Sequence, residues 1–280
     1  MQRRLPDYLK RPIIDTEKTR TVRKILKTKC LNTVCENARC PNKNECYTKN
    51  TATFLIMGGN CTRNCKYCNI SCAKPEPLDL EEPKHVAEAV QVLGLKYAVI
   101  TSVTRDDLPD GGAEHFANCI YEIRKLCPDT KIEILTPDFK GNKESLDKII
   151  KAHPDVFNHN IEAVKDIFKT VRPQGDYDCS INVLKYIKEN SDIKTKSGLI
   201  IGLGETFEQI EQTLTDLKSA GCDIVTIGQY IQPSKQHFEV AKYYIPEEYD
   251  ELKSLAKKAG IRNYQIGPLV RSSYRASELV

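Results

Sequence analysis

From Thr51 onward, short apolar runs alternate with segments in which apolar residues recur at helical spacing. The runs "TATFLIM", "YAVITSV", "KIEILTP", "DVFNHNI", "SGLIIGL" and "DIVTIGQ" predict six strands. Between them, "PKHVAEAVQVLG", "GAEHFANCIYEIRKL", "NKESLDKIIKA", "YDCSINVLKYIKEN" and "FEQIEQTLTDLKSAG" predict helices, with Pro83 near a start and Gly94 and Gly221 near ends. A further helix, "PEEYDELKSLAKKAG", is expected to start at Pro246 and end near Gly260. Strands alternating with helices pair in parallel through right-handed crossovers. Six are too few for the closed barrel of eight. The expected fold is therefore α/β, an open six-stranded (βα)6 partial TIM barrel, with a doubly wound sheet as the alternative that periodicity leaves open. In either, chemistry belongs at the carboxyl ends of the strands. Residues 1–50 and 261–280 fall outside the alternation and are expected as an N-terminal extension and a C-terminal tail on a barrel at 51–260.

A chain of 280 residues, 40% hydrophobic and 29% charged, has the composition of an ordinary soluble protein with a sizeable core. It has no apolar run long enough to span a membrane. Its start, "MQRRLPDYLKRP", is basic but lacks the apolar centre of a secretory signal, so a cytoplasmic location is expected. The net charge of +4 is too mild to call for nucleic acid.

The twelve cysteines change the picture. In a chain of this size without a secretory signal they point to metal or redox chemistry rather than disulfides. Six of them form two triplets, Cys35, Cys40 and Cys46 in "CENARCPNKNEC", and Cys61, Cys65 and Cys68 in "CTRNCKYC". Cys119, Cys127 and Cys222 lie in or beside helical patterns and are expected as small buried hydrophobes. Cys30 and Cys72 lie near the triplets but complete no regular spacing.

The second triplet starts where the first strand ends. Soft thiolates suit iron–sulfur clusters or zinc. Three cysteines on one loop can hold three irons of a cubane and leave the fourth open, the mark of a reactive site rather than a scaffold. Zinc would need a distant histidine, and none of the five histidines is next to the loop in sequence.

"CTRNCKYC" at the end of the first strand of such a chain resembles the motif of the radical S-adenosylmethionine (SAM) superfamily. That resemblance implies a [4Fe-4S] cluster on Cys61, Cys65 and Cys68, with SAM on the open iron. It also implies a SAM site that includes Tyr67, the glycine-rich "SGLIIGLGE" (Gly198 and Gly202), the polar strand end "NHNIE" (Asn158, Asn160 and Glu162), and Arg172 in "TVRPQGDY". The loop "TRDDLPDGGAEHF" after the second strand would take the methionine end of SAM.

The C-x4-C-x5-C of the first triplet, followed by the second triplet and a tail reading "GPLVRSSYRA", is similar to the lipoyl synthase family, and the resemblance runs nearly end to end. Tyr47 stands where that family commonly carries tryptophan. The resemblance implies a second [4Fe-4S] cluster on Cys35, Cys40 and Cys46, closed by Ser273 of the tail and serving as the sulfur source. It implies insertion of two sulfur atoms, at carbons 6 and 8 of an octanoyl group on a lysine of a lipoyl carrier domain, with two SAM consumed. The carrier would be the acyltransferase subunit of a 2-oxoacid dehydrogenase or the H protein of glycine cleavage, and the electron donor a ferredoxin or flavodoxin. Lys43, Lys49 and Arg63 are expected on a face that docks the carrier.

Rival functions are an RNA methylthiotransferase, a two-cluster electron carrier and a zinc-stabilised binding module. The first is expected to bring a C-terminal RNA-binding barrel. The second is expected to supply four cysteines per cluster.

Overall fold

A computed structural model describes residues 4–12, 16–49 and 51–280; residues 1–3, 13–15 and 50, all in the expected N-terminal extension, lie outside the described residues. The chain divides into two compact units, one of residues 11–63 with 69–157, the other of residues 1–10, 64–68 and 158–280.

In the unit of 11–157, the helix Glu17–Thr28 begins at a reciprocal cap: Thr16 accepts from the Thr19 N–H, and Thr19 from that of Thr16. The two-residue strand Asn32–Thr33 then runs antiparallel to Thr53–Ile56. Thr53–Ile56 pairs in parallel with Tyr97–Ser102, and Tyr97–Ser102 with Lys131–Leu135. The crossovers are the helices Glu82–Leu93, which ends at left-handed Gly94, and Ala113–Leu126. A third helix, Lys143–Ala152, follows Lys131–Leu135 and leads to the strand Val156–Asn158. All four residues of Thr53–Ile56 are buried, as expected of a parallel strand covered on both faces. Phe54, Ile56, Val86, Val90, Ile100, Phe116, Ile120 and Ile134 form the centre of the core.

In the other unit, Lys194–Ile201, Ile224–Gln229 and Asn263–Gly267 pair in parallel in that order. The helices Tyr177–Asn190, Phe207–Ser219 and Pro246–Lys258 alternate with them. Asn263–Gly267 is one strand beyond the expected six, inside the segment expected as a tail. Its sequence, "NYQIG", has no apolar run, and the neighbouring strand creates it by pairing at all five positions. A short helix, Lys165–Val171, also goes beyond the expected pattern.

The expected strand "DVFNHNI" is cut short at Asn158. The His159 N–H still reaches the Lys196 carbonyl at 2.9 Å, but the Ile161 N–H goes to the Ser197 hydroxyl at 3.1 Å. That side-chain bond interrupts the ladder at Ile161 and leaves the Asn160 side chain available for other contacts. The pairing resumes at Glu162, whose N–H donates to the Gly198 carbonyl and whose carbonyl accepts from the Ile200 N–H, both at 2.9 Å. Cys119 and Cys222 are buried as expected, while Cys127 is half-buried.

Candidate active site

The second cysteine triplet is reached through a pinned turn. After Ile56 the chain enters left-handed conformation at Met57 (φ 67°) and Gly58 (φ 92°), which costs energy for a methionine. The Met57 N–H donates to Glu82 at 2.8 Å, and the same carboxylate oxygen meets His115 Nε2 at 2.7 Å. A Cβ on Gly112 would lie 2.3 Å from Met57 Sδ, so the glycine of the following loop makes room for this turn.

Cys61 Sγ accepts two backbone N–H groups, from Arg63 at 3.4 Å and Thr104 at 3.3 Å. Thr62 stitches the same loops together: its N–H and its hydroxyl both donate to the Thr104 carbonyl, and its oxygen accepts the Asp106 N–H. Arg63 is not the surface residue that carrier docking requires. It is 5% exposed and makes paired bonds to Asp106 (2.7 and 2.9 Å) and to Asp138 (2.6 and 2.7 Å). Burial alone would lower its pKa, but the two carboxylates hold it above the ordinary arginine range. Lys43 and Lys49 are also engaged, with Glu36 at 2.7 Å and Glu45 at 3.7 Å.

Cys65 and Cys68, both half-buried, sit on a segment held by its own neighbours. The Lys66 N–H donates to the Val171 carbonyl, and the Phe238 N–H to that of Lys66, both at 2.8 Å. His237 does approach this segment, although sequence adjacency gives no sign of it. Its Nε2 is 3.0 Å from the Cys68 carbonyl and its Nδ1 2.8 Å from the Ser234 hydroxyl, so both ring nitrogens serve the backbone and loop. Tyr67 packs on Ala163, Val171, Leu203 and Tyr230. Burial pushes its phenol well up, and the charges of Glu162 and Cys65 add to that.

The expected SAM-binding residues form a connected network in the same unit. Asn160 Nδ2 donates to Glu162 at 3.0 Å, and the Asn160 carbonyl accepts from Arg172 at 3.1 Å. Arg172 is buried, with its guanidinium 5.0 Å over the Phe168 ring. Burial raises the Glu162 carboxyl pKa, against the pull of Arg172, the Asn160 bond and Arg271. Glu162 itself is left-handed (φ 67°) and bridges Leu199. Asn158 is fully buried at the strand end. A Cβ on Gly198 would come within 2.6 Å of Asn160 Oδ1 and 2.5 Å of Ser272 Oγ, so this glycine is needed by protein atoms. The room at Gly202 (φ 100°) is likewise taken by the Gln229 amide and the Lys242 carbonyl. A cavity of about 890 Å³ adjoins, lined by Leu203, Phe238, Val240, Tyr243, Lys235 and Arg4 among others. In the other unit, a cavity of about 330 Å³ lies in the expected methionine loop, against Thr104, Asp106, Leu108 and Phe139.

The first triplet is set on two short helices. Cys35 lies in Val34–Asn37 and Cys46 in Lys43–Thr48, while the Cys40 N–H bonds the Cys35 carbonyl at 3.1 Å. Burial, followed by the charge of Cys40, pushes the Cys35 thiol up to about 12 and the Cys46 thiol to about 11. Cys40 thus acts electrically on both, which places the three thiols in one another's field. Tyr47 is fully buried behind them, its hydroxyl 3.1 Å from Thr33 Oγ1, so its ring fills core space.

The tail separates its two serines. Ser272 Oγ donates to Asn160 Oδ1 at 2.7 Å. The half-buried Ser273 makes no side-chain hydrogen bond among the described residues. Upstream, a Cβ on Gly228 would meet the Val270 carbonyl at 2.0 Å, so the tail's backbone lies against that strand.

Among the described residues, no three Cys, His, Asp or Glu side chains converge on a point where one metal ion would sit. Thiolates on separate irons of a cubane stand farther apart than thiolates sharing one ion, and the donor set, thiols with neither histidine nor carboxylate among them, fits iron–sulfur ligation. A buried Arg172 and a half-buried Glu162 linked by Asn160 likewise suit a ligand carrying both a carboxylate and an ammonium group.

The family model of the radical SAM superfamily matches residues 55–217. A lipoyl synthase of Caldicellulosiruptor saccharolyticus is 51% identical over 279 residues, covering 99% of this chain and 98% of that protein. One from Bacteroides fragilis (strain YCH46) is 48% identical over 275 residues, covering 98% and 95%. Among solved structures, methylornithine synthase matches with a TM-score of 0.59 at 15% identity, covering 88% of this chain and 74% of that one. That likeness concerns the fold, an α/β architecture whose mostly parallel sheet stays open, as the partial-barrel reading expects. With half of its residues identical across nearly its full length, the chain belongs to the lipoyl synthase family and is an enzyme of the radical SAM class.

Proposed function

We propose that this enzyme completes a lipoyl group by inserting sulfur at carbons 6 and 8 of an octanoyl chain amide-linked to a carrier-domain lysine, using two SAM. In this reading Cys61, Cys65 and Cys68 hold one [4Fe-4S] cluster with SAM, and Cys35, Cys40, Cys46 and Ser273 hold the second. When bound, the first cluster with SAM supplies hydrogen-atom abstraction from an unactivated carbon, and the second supplies sulfur. The observation that carries the reading is the pair of differently built cysteine triplets in a chain so similar to lipoyl synthases.

The protein's own residues have definable tasks. Arg172 and Glu162 present opposite charges that would pair with the carboxylate and ammonium of SAM, and Asn160 ties them together. The apolar packing of Tyr67 with Leu203 and Tyr230 anchors the segment that carries Cys65 and Cys68. A closed site matters because a carbon radical would have to meet sulfur before a thiol or another weakly bonded hydrogen quenched it. The Ser273 hydroxyl, which makes no side-chain hydrogen bond among the described residues, is a harder ligand than a thiolate and would release its iron more readily. The segments at Ser234–Phe238 and Val171 hold Cys65 and Cys68 in place.

The test is mass spectrometry of an octanoylated carrier peptide after incubation with anaerobically prepared holoenzyme, SAM and a reductant. A gain of two sulfur atoms on the peptide is expected. SAM cleavage without any sulfur gain would overturn the reading.

A further inference from the structure

We infer that Arg63 is a positioning residue that sets the reduction potential of the cluster on the second triplet, through the backbone it immobilises rather than by contact with substrate. The inference rests on the proposed cluster at Cys61. A residue midway between two ligands on a loop at a strand end would ordinarily point to solvent. Arg63 instead turns inward, with 4% of its side chain exposed, and spends four hydrogen bonds on two carboxylates. Asp106 belongs to the loop after Tyr97–Ser102, and Asp138 to the loop after Lys131–Leu135. Asp138 is itself fixed, capping the next turn by accepting the Lys140 N–H at 2.9 Å. One guanidinium therefore ties the cysteine loop to the loops of two further strands.

What this tie holds in register is a pair of N–H groups on sulfur. The Arg63 and Thr104 amides both point at Cys61 Sγ, from opposite sides of the junction that Thr62 and Arg63 knit. Hydrogen bonds to a ligand sulfur stabilise the more negative, reduced cluster and raise its potential. A lysine at position 63 keeps the charge but cannot form two planar paired contacts. The amides would then drift from the sulfur without a change in net charge.

The experiment is a redox titration of Arg63→Lys holoenzyme, following by electron paramagnetic resonance the reduced-cluster signal that changes when SAM is added. That change marks the cluster with the open iron and requires no carrier substrate. A potential more negative than that of the unaltered enzyme is expected, with kcat lowered and the KM for the carrier unchanged. Where Arg63→Lys fails to fold or load iron, Thr62→Val decides, since it removes the hydroxyl stitch and alters no charge. A smaller shift in the same direction is expected there. An unchanged potential in the variant that loads would overturn the inference, as would a raised KM with unchanged kcat in Arg63→Lys. Absence of any SAM-sensitive signal from the unaltered enzyme would instead contradict the proposed function.

Discussion

The two cysteine triplets are held in place by opposite means. Cys35 and Cys46 ride on short helices, where burial pushes their thiols up to about 12 and 11 and keeps them protonated until something displaces the protons. Cys61 sits on an extended loop whose sulfur already accepts two N–H groups and whose shape is fixed by a buried arginine between two carboxylates. Packing organises the first site, and polar bonds the second. Under the proposed function, a site that gives up its sulfur would gain from a setting in which the free thiols are themselves stable. Under the same proposal, a site that takes and passes electrons repeatedly would gain from donors held in fixed positions.

The coarsest break in this comparison is compositional. Alanine at Cys35, Cys40 and Cys46 together is expected to halve the iron content, from about eight to about four per chain. Iron analysis and the visible spectrum after anaerobic reconstitution check this.

Next in size, the tail serines are expected to part company. Ser273→Cys is expected to keep the cluster but to slow sulfur release, so that insertion falls while iron persists after turnover. Ser272→Ala is expected to leave that cluster intact and weaken SAM binding, because Ser272 is bonded to Asn160. Isotopically labelled SAM binding and product analysis distinguish the two. Gly198→Ala strikes the same network from the strand side, pressing on Asn160 and Ser272. It is expected to cost ~1–3 kcal/mol in a urea melt and to weaken SAM binding as well.

The smallest expected effect is on pH. Burial raises the Cys35 and Cys46 thiols above their ordinary value of 9.0, so the folded iron-free chain holds these protons more tightly than the unfolded one. Their contribution to stability is fully present below about pH 9 and is lost as pH rises through the folded values. Loading the first triplet must displace those protons, so its iron affinity is expected to rise with pH over the same range. Urea melts of the iron-free chain at rising pH check the first statement. A Cys35→Ser variant is expected to flatten the curve.

The strand–helix alternation and both triplets are legible in the sequence because apolar period and ligand spacing are local properties. Tyr177–Asn190 coincides with its sequence pattern to the residue, and its N-cap Asp176 explains why the helix starts there. The strand Asn263–Gly267 is not legible, since "NYQIG" becomes a strand only through its neighbour. The settings of the triplets are hidden for the same reason. Arg63 looks like a surface cation until Asp106 and Asp138, 43 and 75 positions away, close on it. His237 lies 169 positions from Cys68, and Ser272 lies 112 from Asn160. In "RSSYRA" two adjacent serines look alike, and only the fold separates the bonded one from the other.

The division of labour between the triplets is tested most directly by comparing Cys65→Ala with Cys40→Ala, measuring 5′-deoxyadenosine and lipoyl product in the same reactions. Cys65→Ala is expected to make neither. Cys40→Ala is expected to make 5′-deoxyadenosine and no lipoyl product, whereas lipoyl product from Cys40→Ala would contradict the assignment of the sulfur source to the first triplet.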